Sequence, residues 1–219
     1  MEKPLNFFDL STGILFFFFI LKLMLIGFKE LKRERHERFM ERPSTWLQHS
    51  QPPLIFIMIA LVYAGILTDH FRPGLLSVTG FVLRAIGALM IVAGAALAAW
   101  AIRSIGKDMQ TDIAVNKGHV LRTEGAYAIV RHPMYLSLIL LGLGAGLSTL
   151  NLLLIGFALF VLAPVQFLRA RKEEELFVRH FGPAYTGYQK KTPMIFPVRF
   201  IGSCKKQFSD NLKTKKDRF

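Results

Sequence analysis

The sequence predicts an all-α membrane protein that crosses the bilayer about five times. Of its 219 residues, 52% are hydrophobic and 20 are phenylalanines. The mean hydropathy of +0.37 is higher than soluble domains usually reach. Apolar runs close to the length that spans a hydrocarbon core recur along the chain. We therefore expect residues 1–219 to form a single integral membrane domain.

The charge of the chain is strongly positive and lies beside the apolar runs. A formal net charge of +13 would suggest a nucleic-acid partner in a soluble protein. Basic residues next to apolar segments instead follow the positive-inside rule and attract anionic lipid headgroups. We expect contacts with anionic membrane lipids and none with nucleic acid. The single cysteine, Cys204, allows neither a disulfide within one chain nor a cysteine-based metal site.

The first two apolar segments flank a basic linker. Residues 7–28 form the first segment, in which Lys22 is expected to extend its amine to the headgroups. The linker Lys29–Pro43 holds six Lys and Arg residues against four Glu residues, which places it in the cytoplasm. Residues 53–68 form the second segment, and the polar turn 69–74 follows on the far side. The N-terminus is therefore predicted outside.

The third segment, residues 75–102, carries a stripe of small residues. They recur every seven residues, or about two helical turns: Gly80, Gly87, Gly94 and Ala101. Lipid provides no hydrophobic drive for helix association, so such stripes predict close packing against another helix. Arg84 is expected to snorkel near the outer end, and Trp100 is expected in the interfacial belt at the inner end.

The fourth and fifth segments, residues 134–148 and 150–168, are joined by a short turn without charge. The fourth spans only roughly 22 Å as a helix, so the pair is predicted to form a hairpin that barely reaches the far side. Pro164 should kink the fifth segment near its inner end. A charged helix and a basic tail, residues 198–219, follow in the cytoplasm.

Two polar blocks, His119–Tyr135 and Arg169–Tyr188, border the last two segments on the same predicted side. Polar groups held at a bilayer edge are usually functional. Pro133 fits the first turn of a helix, where its missing N–H costs nothing. His132 would then lie at a helix N-terminus that attracts anions such as a carboxylate, with Tyr135 on the same face. A capped helix start with an interfacial tyrosine explains this pattern equally well.

The second block contains Arg169 and Glu173, which share one helix face at a spacing of four. The simplest interpretation is a surface ion pair, which contributes little. However, Glu174 and Glu175 follow directly, and three adjacent acids repel one another unless a cation lies close. Arg169 supplies one such cation, and a bound cationic ligand would supply another.

Together the blocks resemble the isoprenylcysteine carboxyl methyltransferase family of membrane enzymes. The family pattern reads H-x-L-x-x-x-G-x-Y-x-x-x-R-H-P-x-Y, is followed by R-x-x-x-E-E and F-G-x-x-Y-x-x-Y, and ends with a proline and a Phe-Pro pair. It is matched by His119, Leu121, Gly125, Tyr127, Arg131, His132, Pro133, Tyr135, Arg169, Glu173, Glu174, Phe181, Gly182, Tyr185, Tyr188, Pro193, Phe196 and Pro197. The resemblance covers about residues 106–197, the expected catalytic half, whereas the first two segments match only in being apolar.

The resemblance implies a methyltransferase that uses S-adenosylmethionine. Its cytoplasmic cofactor pocket would lie between the loop before the fourth helix and the C-terminal helix. The implied cofactor-binding residues are His119, Val120, Leu121, Arg122, Tyr127, His132, Pro133, Met134, Tyr135, Glu173 and Glu174. The implied catalytic residues are Arg169, His132 and Tyr135. Residues 106–112 depart from the family pattern, and no cofactor contact is assigned in residues 107–118.

The implied reaction is O-methylation of the carboxylate of an isoprenylcysteine-like or other apolar acceptor. A carboxylate nucleophile needs alignment and loss of water rather than a base, and no metal is expected. Arg169 would receive the acceptor carboxylate as a bidentate fork, and Glu173 would neutralise the donor's ammonium. The lipophilic acceptor would enter sideways from the bilayer. The compactness of the chain favours a prokaryotic inner membrane.

Three other functions stay open on the sequence. The same chemistry could methylate a phospholipid amine or a small thiol, because many apolar side chains could line the acceptor pocket. A membrane sterol-type reductase would need a basic cluster for the 2′-phosphate of NADPH, and Lys117, Arg122 and Arg131 form a small set. A non-enzymatic transporter or scaffold would predict paired charges at mid-membrane. The sequence does not determine the oligomeric state.

Overall fold

The computed structural model describes residues 10–14, 18, 39–41, 46–68, 78–106, 115–116 and 120–197. Its helices are α1 (Gln51–Thr68), α2 (Val78–Ile105), α3 (Ala126–Ile129), α4 (Pro133–Ser148), α5 (Leu152–Phe181) and α6 (Pro183–Lys191). A 3₁₀ helix, Trp46–His49, precedes α1. The short strands β1 (Phe39–Glu41) and β2 (Val115–Asn116) pair antiparallel. Apart from this pair, the regular secondary structure of the described residues is helical, which confirms the predicted class.

Two of these helices, α2 and α5, are long and apolar enough to cross a membrane, and α1 and α4 are shorter apolar helices. Large apolar side chains such as Phe81 and Leu89 are exposed along α2, as expected of a helix that faces lipid. The described helices therefore fit a helical membrane protein. Most of the first predicted segment, including Lys22, and the basic tail lie outside the described residues.

The predicted stripe of small residues packs α2 against α4. The buried residues of α2 are Gly80, Arg84, Gly87, Ile91, Gly94, Ala98 and Ala101. A Cβ atom added to Gly87 would lie 2.3 Å from the backbone nitrogen of Ser148. One added to Gly144 would lie 2.8 Å from the carbonyl oxygen of Gly87. The two backbones are in direct contact, which confirms the close packing predicted from the seven-residue spacing.

Substituting Gly87 by alanine should therefore destabilise the protein. The new methyl group meets backbone atoms of α4 that cannot move alone, and such overpacking costs about 1–3 kcal/mol. The matched control is Gly156→Ala, because a Cβ atom there meets nothing within 4 Å. In a helix interior that change is expected to stabilise by up to about 1 kcal/mol. Thermal unfolding in detergent measures both variants, and equal Tm values would contradict the backbone contact.

The predicted snorkelling of Arg84 is wrong. Its side chain is 2% exposed and lies on the buried side of α2. Position 84 follows Gly80 by four residues and precedes Gly87 by three, so helix geometry directs it toward the same partner as the stripe. The prediction relied on the charge of the residue, whereas the register of the helix determines its direction.

The turn between α4 and α5 is enclosed by the protein. Thr149 and Asn151 are both buried. Asn151 caps α5 by accepting a hydrogen bond from the Leu154 nitrogen at 3.1 Å, and its amide nitrogen donates to the Leu61 carbonyl of α1 at 2.9 Å. The predicted uncharged hairpin is confirmed, and α1 holds its turn in place.

A π-helical segment, Ala158–Leu162, interrupts α5 and ends two residues before Pro164. Proline cannot donate a backbone hydrogen bond, and its ring clashes with the carbonyl four residues earlier, which lies in this segment. Prolines and π-bulges are the usual places where helices bend. The irregularity thus lies where the kink was predicted, and beyond it α5 continues into its charged half with Arg169 and Glu173.

Candidate active site

Two adjacent carboxylates on α5 face the start of α4. Glu173 accepts a hydrogen bond from the Tyr135 hydroxyl at 2.9 Å, and its Oε2 lies 3.3 Å from His132 Nδ1. Glu174 Oε1 lies 3.2 Å from His132 Nε2. The imidazole of His132 therefore bridges the two carboxylates, with one at each ring nitrogen.

This placement follows from the helix start that the sequence predicted. His132 is the N-cap of α4, and Pro133 occupies its first turn. The rings of His132 and Tyr135 stack with centroids 5.3 Å apart and planes 5° apart, which confirms that they share a face. Backbone N–H groups at a helix start favour negative charge, and the chain's own carboxylates supply it.

The bridging geometry favours a charged imidazole. Burial disfavours that charge, but hydrogen bonds to Glu173 and Glu174 outweigh burial and raise the pKa of His132 above its ordinary value. Carboxylate oxygens only accept hydrogen bonds, so both ring nitrogens must donate, as they do in imidazolium. His132 thus neutralises part of the charge that the adjacent acids would otherwise build up.

Arg131 engages Glu174 from another direction. Its Nε donates to Oε1 at 2.6 Å and its Nη2 to Oε2 at 3.0 Å, which makes the pair bidentate. Its Nη1 donates to the carbonyls of Gln189, at 3.0 Å, and Thr192. The Gln189 amide also donates to Glu174 Oε2 at 2.8 Å. Arg131 thereby joins α5 to the end of α6, and the chain's own donors occupy both oxygens of Glu174.

Main-chain hydrogen bonds also join the start of α4 to the segment after α6. The Arg131 nitrogen donates to the Pro193 carbonyl at 2.9 Å, and the His132 nitrogen donates to the Met194 carbonyl at 2.9 Å. The segment after α6 therefore runs along the residues that start α4. The first polar block and the second are one structural unit.

Arg169 lies beside this cluster and inside the protein. Its guanidinium carbon is 5.9 Å from the centroid of the Tyr135 ring. Its Nη1 donates to the carbonyl of Leu47 and lies 3.4 Å from the Ser50 hydroxyl. The side chain is 1% exposed, so the interpretation of Arg169 as half of a surface ion pair is wrong. Tyr135 instead connects Arg169 to Glu173.

The remaining predicted site residues lie before α4. Val120 and Arg122 are exposed and Leu121 is half-buried in the loop that leads to α3. Tyr127, in α3, accepts a hydrogen bond on its carbonyl from the Tyr188 hydroxyl. His119 lies outside the described residues. The structure brings His132, Pro133, Met134, Tyr135, Arg169, Glu173 and Glu174 together, and the cofactor contacts assigned to these and the loop residues stay predictions.

Sequence reasoning missed several groups that build the site. The carbonyls of Leu47, Gln189, Thr192 and Met194 accept from Arg169, Arg131 and His132. Every residue type has a carbonyl, so no sequence pattern identifies these acceptors. Pro193, Phe196 and Pro197, which match the end of the family pattern, gave the signal that this segment belongs with the site.

Comparisons with known proteins agree on the central part of the chain. Residues 85–179 match the model of the isoprenylcysteine carboxyl methyltransferase family. A protein-S-isoprenylcysteine O-methyltransferase of Schizosaccharomyces pombe is 38% identical over 85 residues, which is 38% of this chain and 35% of that protein. The one of Mus musculus is 32% identical over 135 residues, which is 60% of this chain and 46% of that protein.

Another relative carries a different kind of name. The cobalt-zinc-cadmium resistance protein CzcN of Cupriavidus metallidurans is 33% identical over 90 residues, which is 39% of each chain. This chain covers less than half the length of each of these three relatives. The stretch matched by the family, 85–179, contains Arg131, His132, Arg169 and Glu173 but ends before α6.

Proposed function

We propose that the chain is a membrane methyltransferase that uses S-adenosylmethionine, because residues 85–179 match the model of the isoprenylcysteine carboxyl methyltransferase family. The cluster in which His132 and Tyr135 hold Glu173 beside the buried Arg169 carries this proposal. The proposed acceptor is an apolar molecule with a carboxylate, of the isoprenylcysteine kind that the names of two relatives state.

The described side chains fit a cationic methyl donor. The Glu173 side chain is 22% exposed, whereas that of Glu174 is 8% exposed and is engaged by Arg131 and Gln189. Glu173 is therefore the carboxylate with room to meet the ammonium of a ligand, and Glu174 is suited to holding His132. The proposed cofactor-binding set stays His119, Val120, Leu121, Arg122, Tyr127, His132, Pro133, Met134, Tyr135, Glu173 and Glu174.

The chain's own residues would bind and orient rather than move protons. When bound, S-adenosylmethionine supplies a methyl group already activated by a positive sulfur, so a carboxylate acceptor needs no base. Arg169 offers a planar fork that matches a carboxylate, and its burial excludes the water that would screen the pair. Tyr135 donates to Glu173 and lies under the Arg169 guanidinium, so it sets the distance between the two binding groups. His132 fixes the Glu173 carboxylate.

The proposed topology has five spans, with the N-terminus outside and the active site and C-terminus in the cytoplasm. The basic linker, residues 29–43, and the basic tail, residues 198–219, support this orientation through the positive-inside rule. The proposed location is a prokaryotic inner membrane. The apolar acceptor would reach Arg169 from the bilayer, between helices.

Titration with S-adenosylhomocysteine tests the cofactor site. We expect the purified protein in detergent to bind this product in a calorimeter, and Glu173→Gln to weaken binding about tenfold or more, roughly 1.4 kcal/mol. Glu175→Gln is the matched control, because that side chain is 56% exposed and pairs with Lys172. Its effect should stay within about twofold.

Two outcomes would contradict the proposal. Folded wild-type protein that binds NADPH but not S-adenosylhomocysteine would identify a reductase instead. Equal weakening in Glu173→Gln and Glu175→Gln would mean that general negative charge, and not a site, attracts the ligand. The acceptor class is tested separately with labelled donor, because alkali releases methanol from a methyl ester but not from a methylated amine or thioether.

A further inference from the structure

Residues 46–51, which we call the entry segment, lie outside the stretch matched by the family, yet they contact the proposed acceptor-binding arginine. Resting on the proposed function, we propose that the entry segment positions the Arg169 guanidinium and so sets how strongly the site prefers a carboxylate acceptor. Four hydrogen bonds support this proposal, and they involve Leu47, Ser50, Gln51 and Gln166.

The Leu47 carbonyl is the acceptor that orients the guanidinium. It lies in the 3₁₀ helix Trp46–His49 and accepts from the Ser50 nitrogen at 3.3 Å, from the Ser50 hydroxyl at 2.8 Å and from Arg169 Nη1. Carbonyls at a helix end lack full intrahelical pairing, so one can point at a neighbouring helix. The Ser50 carbonyl in turn accepts from the Leu54 nitrogen at 3.3 Å, which ties the entry segment to α1.

A pair of glutamines sets the register between the entry segment and α5. Gln51 donates to Gln166 Oε1 at 2.8 Å, and Gln166 donates back to Gln51 Oε1 at 3.2 Å. Gln166 is fully buried and lies three residues before Arg169 on the same helix face. A shift of either element would leave two amides without partners in a dry environment, which is costly. Leu47 packs against Leu176 farther along α5.

The consequence concerns the direction in which the Arg169 guanidinium faces. The Leu47 carbonyl holds one nitrogen, and the Tyr135 ring lies under the guanidinium plane. A guanidinium fixed in this way offers a fork in one direction, which suits two carboxylate oxygens better than the single oxygen of an amide. The entry segment therefore acts on selectivity through Arg169 and is a positioning element.

The test compares a carboxylate probe with its neutral counterpart. N-acetyl-S-farnesylcysteine serves as the methyl acceptor, and its carboxamide serves as a competitive inhibitor. In Gln166→Leu we expect the KM of the probe to rise about fivefold or more, whereas the Ki of the carboxamide and the Kd of S-adenosylhomocysteine stay within about twofold. A purely structural defect would change all three constants together.

Two further variants separate the positioning role from a general loss of structure. Gln51→Leu/Gln166→Leu removes both amides, so no buried polar group is left unpaired, and we expect the same split between probe and carboxamide. Tyr63→Phe is the control, because it removes a hydrogen bond from α1 to the Gly13 carbonyl, 3.4 Å long, away from Arg169; all three constants should stay unchanged.

An unchanged probe KM in the folded double variant would overturn the positioning role. Parallel losses in probe KM, carboxamide Ki and product Kd would also overturn it, as a general loosening of the protein. A wild-type protein that neither binds S-adenosylhomocysteine nor methylates the probe would overturn the proposed function itself, and the inference with it.

Discussion

Replacing Arg169 by lysine is expected to lower kcat/KM for a carboxylate acceptor about 100-fold, which is roughly 2.7 kcal/mol. Lysine keeps the positive charge but presents a compact ammonium instead of a planar fork. It can donate to the Leu47 carbonyl and to one carboxylate oxygen, but it cannot align both carboxylate oxygens in one plane. The affinity for S-adenosylhomocysteine should stay within about threefold, because Glu173 keeps its contacts with His132 and Tyr135.

The control for this prediction is Arg171→Lys. It makes the same change on the same helix, where the Arg171 side chain is exposed and lies 4.6 Å from the Phe167 ring centroid. Its kcat/KM should change by less than about twofold. If both variants lose activity equally, the loss is a general effect of arginine removal. Full activity of Arg169→Lys would exclude Arg169 from acceptor binding.

The second large effect is expected on stability, from Glu174→Gln. This change removes the negative charge that pairs with Arg131. Because the side chains of Arg131 and Glu174 are only 9% and 8% exposed, water can replace little of the lost interaction. Removing one partner of a buried ion pair costs about 3–5 kcal/mol because the other charge is left uncompensated. We expect a loss of about 3 kcal/mol in the free energy of unfolding, measured by denaturant titration in detergent.

An exposed ion pair on the same helix provides the comparison. Lys172 and Glu175 are 2.8 Å apart, with side chains 45% and 56% exposed. Glu175→Gln should cost less than about 0.5 kcal/mol. A loss of that small size in Glu174→Gln would show that water hydrates the Arg131 guanidinium when its partner is gone. The ion pair would then not be what holds α5 to α6.

Features with a local, periodic signal were predictable. The seven-residue spacing from Gly80 to Ala101 specified the packed face of α2, and Pro133 specified the first turn of α4. The tyrosine three residues after His132 had to share its face. Each of these depends on a few neighbouring residues, and helix geometry alone converts them into positions.

Features that depend on long-range pairing were not predictable. Charge and spacing suggested that Glu173 pairs with Arg169, but they gave no sign that Glu174 pairs with Arg131 from a distant part of the chain. Arg84 was misassigned because its charge was weighed without its register. The hydrogen bonds of Arg169 to the entry segment involve a carbonyl and a hydroxyl that thousands of unrelated turns also contain. Only the folded arrangement identifies them as partners.

The hydrogen bond between His132 and the Met194 carbonyl also constrains when the protein can begin to work. These residues are separated by about 60 positions, and a ribosome adds about 5–20 residues per second. For roughly 3–12 s after His132 has been made, its partner does not yet exist. During that interval α4 and α5 can be synthesised, but the segment that accepts a hydrogen bond from the His132 nitrogen is missing. The hydrogen bonds that join the start of α4 to the segment after α6 therefore form only late in synthesis, and the proposed activity would begin only then.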